Sequence, residues 1–409
     1  MALLAGVSCV YDFDPEIQQV DMKYPYVIEG DILIGDYTDV LLNRAFPFQS
    51  RLPDYNFPIP IGKPVTTTPR YLRDFLAWVD CDDGTSLTGT YQVDTRPFFR
   101  IDTRNLDPDR KYRLRVMTNT VIGPEGTPVP TGPQLTYVSE WMPVSRSSEI
   151  DSLSYEVVGK EKMSIRVSTG GKEPLEGRYI KWTGKETWRY TAQLYATHQY
   201  DITSNAIVPF KLGENNHYYC WSTASVPYAM SLHLDEYAGN KLVDREIYSY
   251  GPKEAKLSNI YSVEILQQNI SEDAYRFWTV MNRNTYDVGG LFSPQPSQIR
   301  GNIVNVEDSS QLVIGYISVC QVSRARLFIN NKTTRFYSGV RVLPDYVIVN
   351  DPERYMFYYR HGYGPYEIHQ YPNPSQVSDS DWDWYPLDCL DCRRKGGVDV
   401  PPDFWPDNL

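Results

Sequence analysis

At 409 residues the chain is too long for one ordinary domain, and two or three are expected. Its net charge of −11 argues against a nucleic-acid partner, because neutralising phosphates takes clustered Lys and Arg. The 33 Tyr and 9 Trp favour strands over helices. No stretch approaches the roughly 18 apolar residues of a spanning helix, so any membrane contact must come through a lipid.

The chain starts with a small, apolar run, Leu4-Ala5-Gly6-Val7-Ser8-Cys9. That run resembles the end of a bacterial lipoprotein signal, which is cut just before a Cys that carries the lipid. Gly6 replaces the usual bulky residue three places before the Cys, and no Lys or Arg precedes the apolar stretch. Residues 1–8 therefore read as the end of a signal peptide that has lost its front, and Cys9 as the palmitoylated anchor. The alternative is an ordinary N-terminus with a stray Cys. Residues 9–23 form an acidic tether, with Asp12, Asp14 and Glu16 close behind the anchor. Such a patch resembles the signal that sends Bacteroidota lipoproteins to the cell exterior, although a solvated tether would look the same.

Two immunoglobulin-like or fibronectin-type β-sandwich domains are expected next, over residues 24–145 and 150–330. In the first, Tyr26 to Ile34 is β-rich with a break at Gly30, and Asp82-Asp83-Gly84 reads as a hairpin turn after the run Phe75 to Val79. Tyr112, Leu114 and Val116 alternate with Arg113 and Arg115, giving one buried and one wet face. The entry Leu106-x-Pro108-x-x-x-Tyr112 resembles a corner in which a Tyr hydroxyl ties back to the preceding turn. Pro124 to Pro133 reads as a surface loop.

In the second domain Met163 to Val167 alternates, Tyr179 to Tyr190 is aromatic and charged in turn, and Ile260 to Leu266 is a further strand. One short helix is expected over 271–284. Ser271 caps it, Glu272 and Asp273 favour its positive end, and Ala274, Phe277, Trp278 and Met281 form a core-facing stripe. Leu312 to Val319 reads as a buried strand, continued by Arg324 to Ile329. Residues 331–409 form an irregular, Cys-containing extension, ordered only if pinned to the body.

Several motifs in order resemble one family across nearly the whole chain. They are Val27-Ile28-Glu29-Gly30, Ser271-Glu272-Asp273-Ala274-Tyr275-Arg276-Phe277-Trp278, Pro296 to Ile303 and Val313-Ile314-Gly315-Tyr316. The series closes with Cys389-x-x-Cys392-Arg393, Gly396-Gly397 and Pro402-Asp403-Phe404-Trp405. This is the Bacteroidota outer-membrane lipoprotein family catalogued as domain of unknown function 4249. The resemblance implies a lipoprotein encoded beside TonB-dependent outer-membrane transporters, and it carries no catalytic residues across.

Catalysis needs a nucleophile with a base, a paired acid and base, or a metal cluster, and the sequence offers no recognisable one. No cofactor and no enzymatic activity are expected. The five His are scattered. Asp379, Asp381 and Asp383 alternate as a calcium loop begins, but Trp384 stands where that loop needs Gly, so a hydrogen-bonded turn is the default. Cys389 and Cys392 are compatible with a redox couple, half a zinc site or a structural staple. The staple is favoured, with Cys220 joined to one of the two. Tyr358, Tyr359, Tyr363 and Tyr366 offer faces for a glycan or peptide. The favoured reading makes Tyr355 to Arg360 a strand buried on both faces. The function expected is a non-catalytic, surface-exposed accessory subunit of a TonB-dependent transporter. The alternative is a free-standing adhesin or a glycan- or peptide-binding module.

Overall fold

The computed structural model describes residues 25–44, 74–92, 98–123, 127–170, 178–211, 214–226, 230–237, 239, 241–286, 300–340, 342–370 and 381–406. Cys9, the acidic tether, Pro124 and Asp379 lie outside the described residues. The architecture is mainly β, as expected, with a few short helices beside the longest one.

The first body is a ten-stranded sheet wrapped round one core. Alternation drives it: Tyr112, Leu114 and Val116 point inward with Val79, Phe75 and Phe99, while Arg113 and Arg115 stay on the wet face. The strand Lys111–Thr118 pairs with Phe75–Cys81, and the turn at Asp82 to Gly84 leads from that strand into Ser86–Gln92. The Tyr112 hydroxyl donates to the Asp107 carbonyl at 2.9 Å, the tie that the Leu-x-Pro entry predicted.

Gly30 breaks the first run at φ +144°, and a Cβ there would sit 2.6 Å from the Asp39 carbonyl oxygen. Only glycine fits that approach.

The second body faces two sheets across a second core. One holds Ile150–Val158, Lys162–Thr169 and Leu242–Tyr250, and the other is centred on Tyr179–Thr191 and Ile260–Asn269. Trp182 is fully buried there, and its indole N–H donates to Gln267 Oε1 at 2.9 Å. At one end a buried carboxylate, Glu186, accepts from Tyr250, from Tyr261 at 2.9 Å and from Lys256 at 2.9 Å. Burial and then Glu186 push the Tyr250 phenol far above its ordinary range, so both phenols act as donors that hold the carboxylate.

The helix Glu272–Tyr286 begins as predicted, with Ser271 Oγ accepting from the Ala274 N–H at 3.1 Å. Ala274 and Phe277 are buried. Tyr275 stacks on Tyr179 at 4.8 Å, which seats the helix on the edge of the larger sheet.

The chain does not keep the two bodies sequential. After the helix it returns to the first body. Ile303–Asn305 pairs with Thr136–Ser139, Val313–Ile314 runs parallel to Tyr26–Glu29, and Val319–Gln321 runs parallel to Ile32–Ile34. The expected strand over Leu312 to Val319 is therefore two short ones, split at Gly315. That residue has φ +146°, and a Cβ would meet the Ile28 carbonyl oxygen at 2.1 Å. Ser323–Asn330 then rejoins the second body beside Ile260–Asn269.

The C-terminal segment carries more order than its composition suggests. Val347–Val349, Trp382–Pro386 and Tyr363–Ile368 form a three-stranded antiparallel sheet. Tyr355–Arg360, expected as a buried strand, is a helix. Asp351 caps the turn before it and Pro352 opens that turn, so the backbone enters already wound. Tyr355, Tyr358 and Tyr359 then share one face at i, i+3 and i+4, packed round Trp384 and Tyr200.

Candidate functional site

The two bodies meet on the outer face of the larger sheet of the second body. Strands alternate, so Ile180, Trp182 and Glu186 enter the core while Lys181, Thr183 and Lys185 face outward. The neighbouring strand does the same, with Val263, Ile265 and Gln267 inside and Glu264, Leu266 and Gln268 outside. Register sets them in rows. Lys185 stands opposite Glu264, Thr183 opposite Leu266, and Lys181 opposite Gln268. Arg326 and Arg324 extend the first two rows.

Against this face the first body presents Asp31, Leu33, Asp36, Tyr37, Asp39 and Arg100, leaving a cleft of about 270 Å³. Its walls are tied by ion pairs. Arg100 grips Asp39 through two bonds of 2.7 Å, directly across the strand pair, and Asp39 raises the basicity of the guanidinium. Arg324 pairs with Asp36, and Arg326 with Glu264 at 2.9 Å. Lys185 is the loosest cation. Its side chain is 56% exposed and its ammonium lies 4.0 Å from Asp39.

The floor is dry. Lys181 is 1% exposed, pairs with Asp31 across the junction and lies 4.7 Å over the Trp278 ring. Asp31 also accepts from the Ser318 N–H at 3.0 Å, so strands of both bodies meet at one carboxylate. Gln268 is 2% exposed, and its side-chain oxygen has no hydrogen-bond partner. Cys320 is buried beside them. Burial first, then Asp31, push its thiol far above the ordinary range, the opposite of what a nucleophile needs.

The sequence-predicted residues lie elsewhere. A disulfide joins Cys220 to Cys392, one of the two expected pairings, with the Cα atoms 5.7 Å apart. Cys389 stays a thiol, donating to Gln193 Oε1 at 2.7 Å. Around that bond Val398 bridges Trp221, Gly397 donates to the Tyr190 hydroxyl at 3.0 Å, and Trp405 packs edge-on against Trp221 and Phe328. Tyr358, Tyr359 and Tyr363 are half-buried round the Tyr200–Trp384 cluster, and Tyr366 lies against Tyr385. None of them approaches the cleft lining. Asp381 and Asp383 are buried, and Asp383 holds the His369 ring at 2.7 Å. Among the described residues, no three His, Cys, Asp or Glu side chains converge as metal ligands do.

The motifs chosen for resemblance now have physical jobs. Gly30 and Gly315 let strands cross within contact distance, Ser271 caps the helix, and Trp278 covers Lys181. A sequence family described as Domain of unknown function (DUF4249) matches residues 10–326. The chain belongs to that family. The DUF4249 span covers every strand of the first body and all the residues that line the cleft, Arg324 included. The three-stranded lobe and the Cys392 partner of the disulfide lie beyond it. No curated protein matches the chain.

Sequence reasoning missed the cleft because its lining comes from residues 31–39, 100, 183–185, 264–268 and 324. The alternation of Tyr179 to Tyr190 points to a second face in solvent, so the covering of this face by the first body was not legible in it.

Proposed function

We propose that this DUF4249 protein is a non-catalytic surface lipoprotein, anchored to the outer membrane through Cys9, that docks on a TonB-dependent transporter and takes part in substrate capture or gating. The disulfide Cys220–Cys392 carries the compartment part of this reading, because such bonds persist in oxidising environments outside the cytoplasm. Val340, Val342, Leu343 and Tyr346 support the docking part. They are exposed apolar side chains within seven residues of sequence, just ahead of the C-terminal three-stranded sheet, with Val340 87% exposed. In the cleft each carboxylate faces a cation, an arrangement suited to holding a ligand rather than to proton transfer between groups of divergent acidity. A lipid anchor would confine the protein to the barrel's membrane and raise its local concentration there without a large interface.

Cross-linked pull-down from native outer membrane tests the partnership. The expected result is a barrel transporter at near-equal amount; in Cys9→Ala cells the barrel stays in the membrane fraction while the lipoprotein leaves it, so the two are no longer recovered together. Recovery of the lipoprotein alone would favour a free-standing adhesin, and a membrane-bound Cys9→Ala protein would remove the anchor.

A further inference from the structure

We propose that the cleft between the two bodies binds a short zwitterionic peptide of two or three residues. The inference goes beyond transporter docking and does not depend on it. Three observations carry it.

The first is charge. The lining holds Asp31, Asp36, Asp39 and Glu264 with Arg100, Lys185 and Arg324 among them, so charges of both signs are present. A simple anion would meet the carboxylates, and a simple cation would meet the guanidinium groups. A ligand with separated charges of both signs meets complementary partners at its two ends.

The second is commitment. Arg100 is held by two bonds to Asp39, and Arg324 is paired with Asp36. Lys185 is more exposed and only loosely paired, so its ammonium is the cation that a ligand carboxylate reaches at least cost. At the other end Gln268 buries an oxygen with no partner, and an unsatisfied buried acceptor is a standing penalty that a ligand N–H relieves.

The third is length. Lys185 stands opposite Glu264, four residues from Gln268 on the same strand, which is about 13 Å at the usual rise. The Lys and Gln side chains close part of that span. An extended peptide of two or three residues covers about 7–11 Å. The peptide carboxylate then lies on Lys185, and its ammonium N–H groups donate to the Gln268 side-chain oxygen.

Calorimetric titration of the purified full chain with trialanine tests this, beside N-acetyl-trialanine and trialanine amide. Trialanine should bind saturably, and each blocked form should bind about tenfold more weakly or worse. Lys185→Met, a change at an exposed side chain, should weaken trialanine by a similar factor and leave trialanine amide nearly unchanged, because that ligand lacks the carboxylate. Gln268→Leu should weaken trialanine amide as well. Circular dichroism on each variant separates lost binding from lost fold. Equal binding of blocked and unblocked peptides, indifference of trialanine to Lys185→Met, or no saturation at millimolar peptide would overturn the proposal.

Discussion

Asp80 shows how one side chain organises the wet face of the first body. It is 6% exposed and accepts from Ser86 at 2.7 Å, from Arg115 at 2.9 Å and from Arg113 at 3.2 Å. Burial by itself would push the carboxyl up. The bonds from Arg115, Ser86 and Arg113, with the Arg115 charge, outweigh burial and hold it below the ordinary value. A carboxyl whose folded pKa is depressed contributes stability above its unfolded value, and that contribution is lost as pH falls through the folded one. Asp80→Asn should therefore cost about 1–3 kcal/mol at neutral pH. The gap should shrink as pH drops below about 4. Denaturant midpoints for both proteins at neutral and acid pH check this, and a gap independent of pH would refute it.

Elements with a strong local signature were legible. The Lys111–Thr118 strand alternates cleanly, the helix has both cap and stripe, and the tyrosine tie lies within six residues of its partner. The Tyr355–Arg360 helix was not. Its aromatic composition favours strands, and what decided it was the capped Pro352 turn before it and the Tyr200–Trp384 cluster around it. The cleft was illegible for another reason: no single segment contains both its acid and its base.

The C-terminal fastening was half legible. Two cysteines three apart were equivalent in sequence, and only the fold distinguishes Cys392, beside Cys220, from Cys389, beside Gln193. Cys392→Ser should lower stability by about 2–5 kcal/mol. It should also speed tryptic cutting at the exposed Arg393, Arg394 and Lys395. Unchanged cutting would mean that Val398 and Trp405 hold the segment without the covalent bond.

At the scale of the molecule, the two bodies are interlocked rather than strung together. Lys181, Asp31 and Ser318 bring three distant stretches to one point, and the cleft exists only because both bodies are present. The return of residues 303–321 to the first body sets the order in which the chain can acquire its shape. A chain that emerges N-terminus first normally completes its domains in that order. Here the first body lacks the strands beside Thr136–Ser139, Tyr26–Glu29 and Ile32–Ile34 until residue 321 has appeared. By then most of the second body has emerged as well. The first body must wait, and partners so far apart in sequence close slowly. A fragment ending at residue 299 should therefore lack cooperative thermal unfolding and bind hydrophobic dye, whereas adding residues 300–321 as a separate peptide should restore protection of the Tyr26–Glu29 amides in hydrogen exchange. An independently folded 1–299 fragment would show that the returning strands only decorate a finished sheet. Interleaving of this kind ties closure of the first core to the emergence of residues 303–321, so both cores become able to close at nearly the same moment.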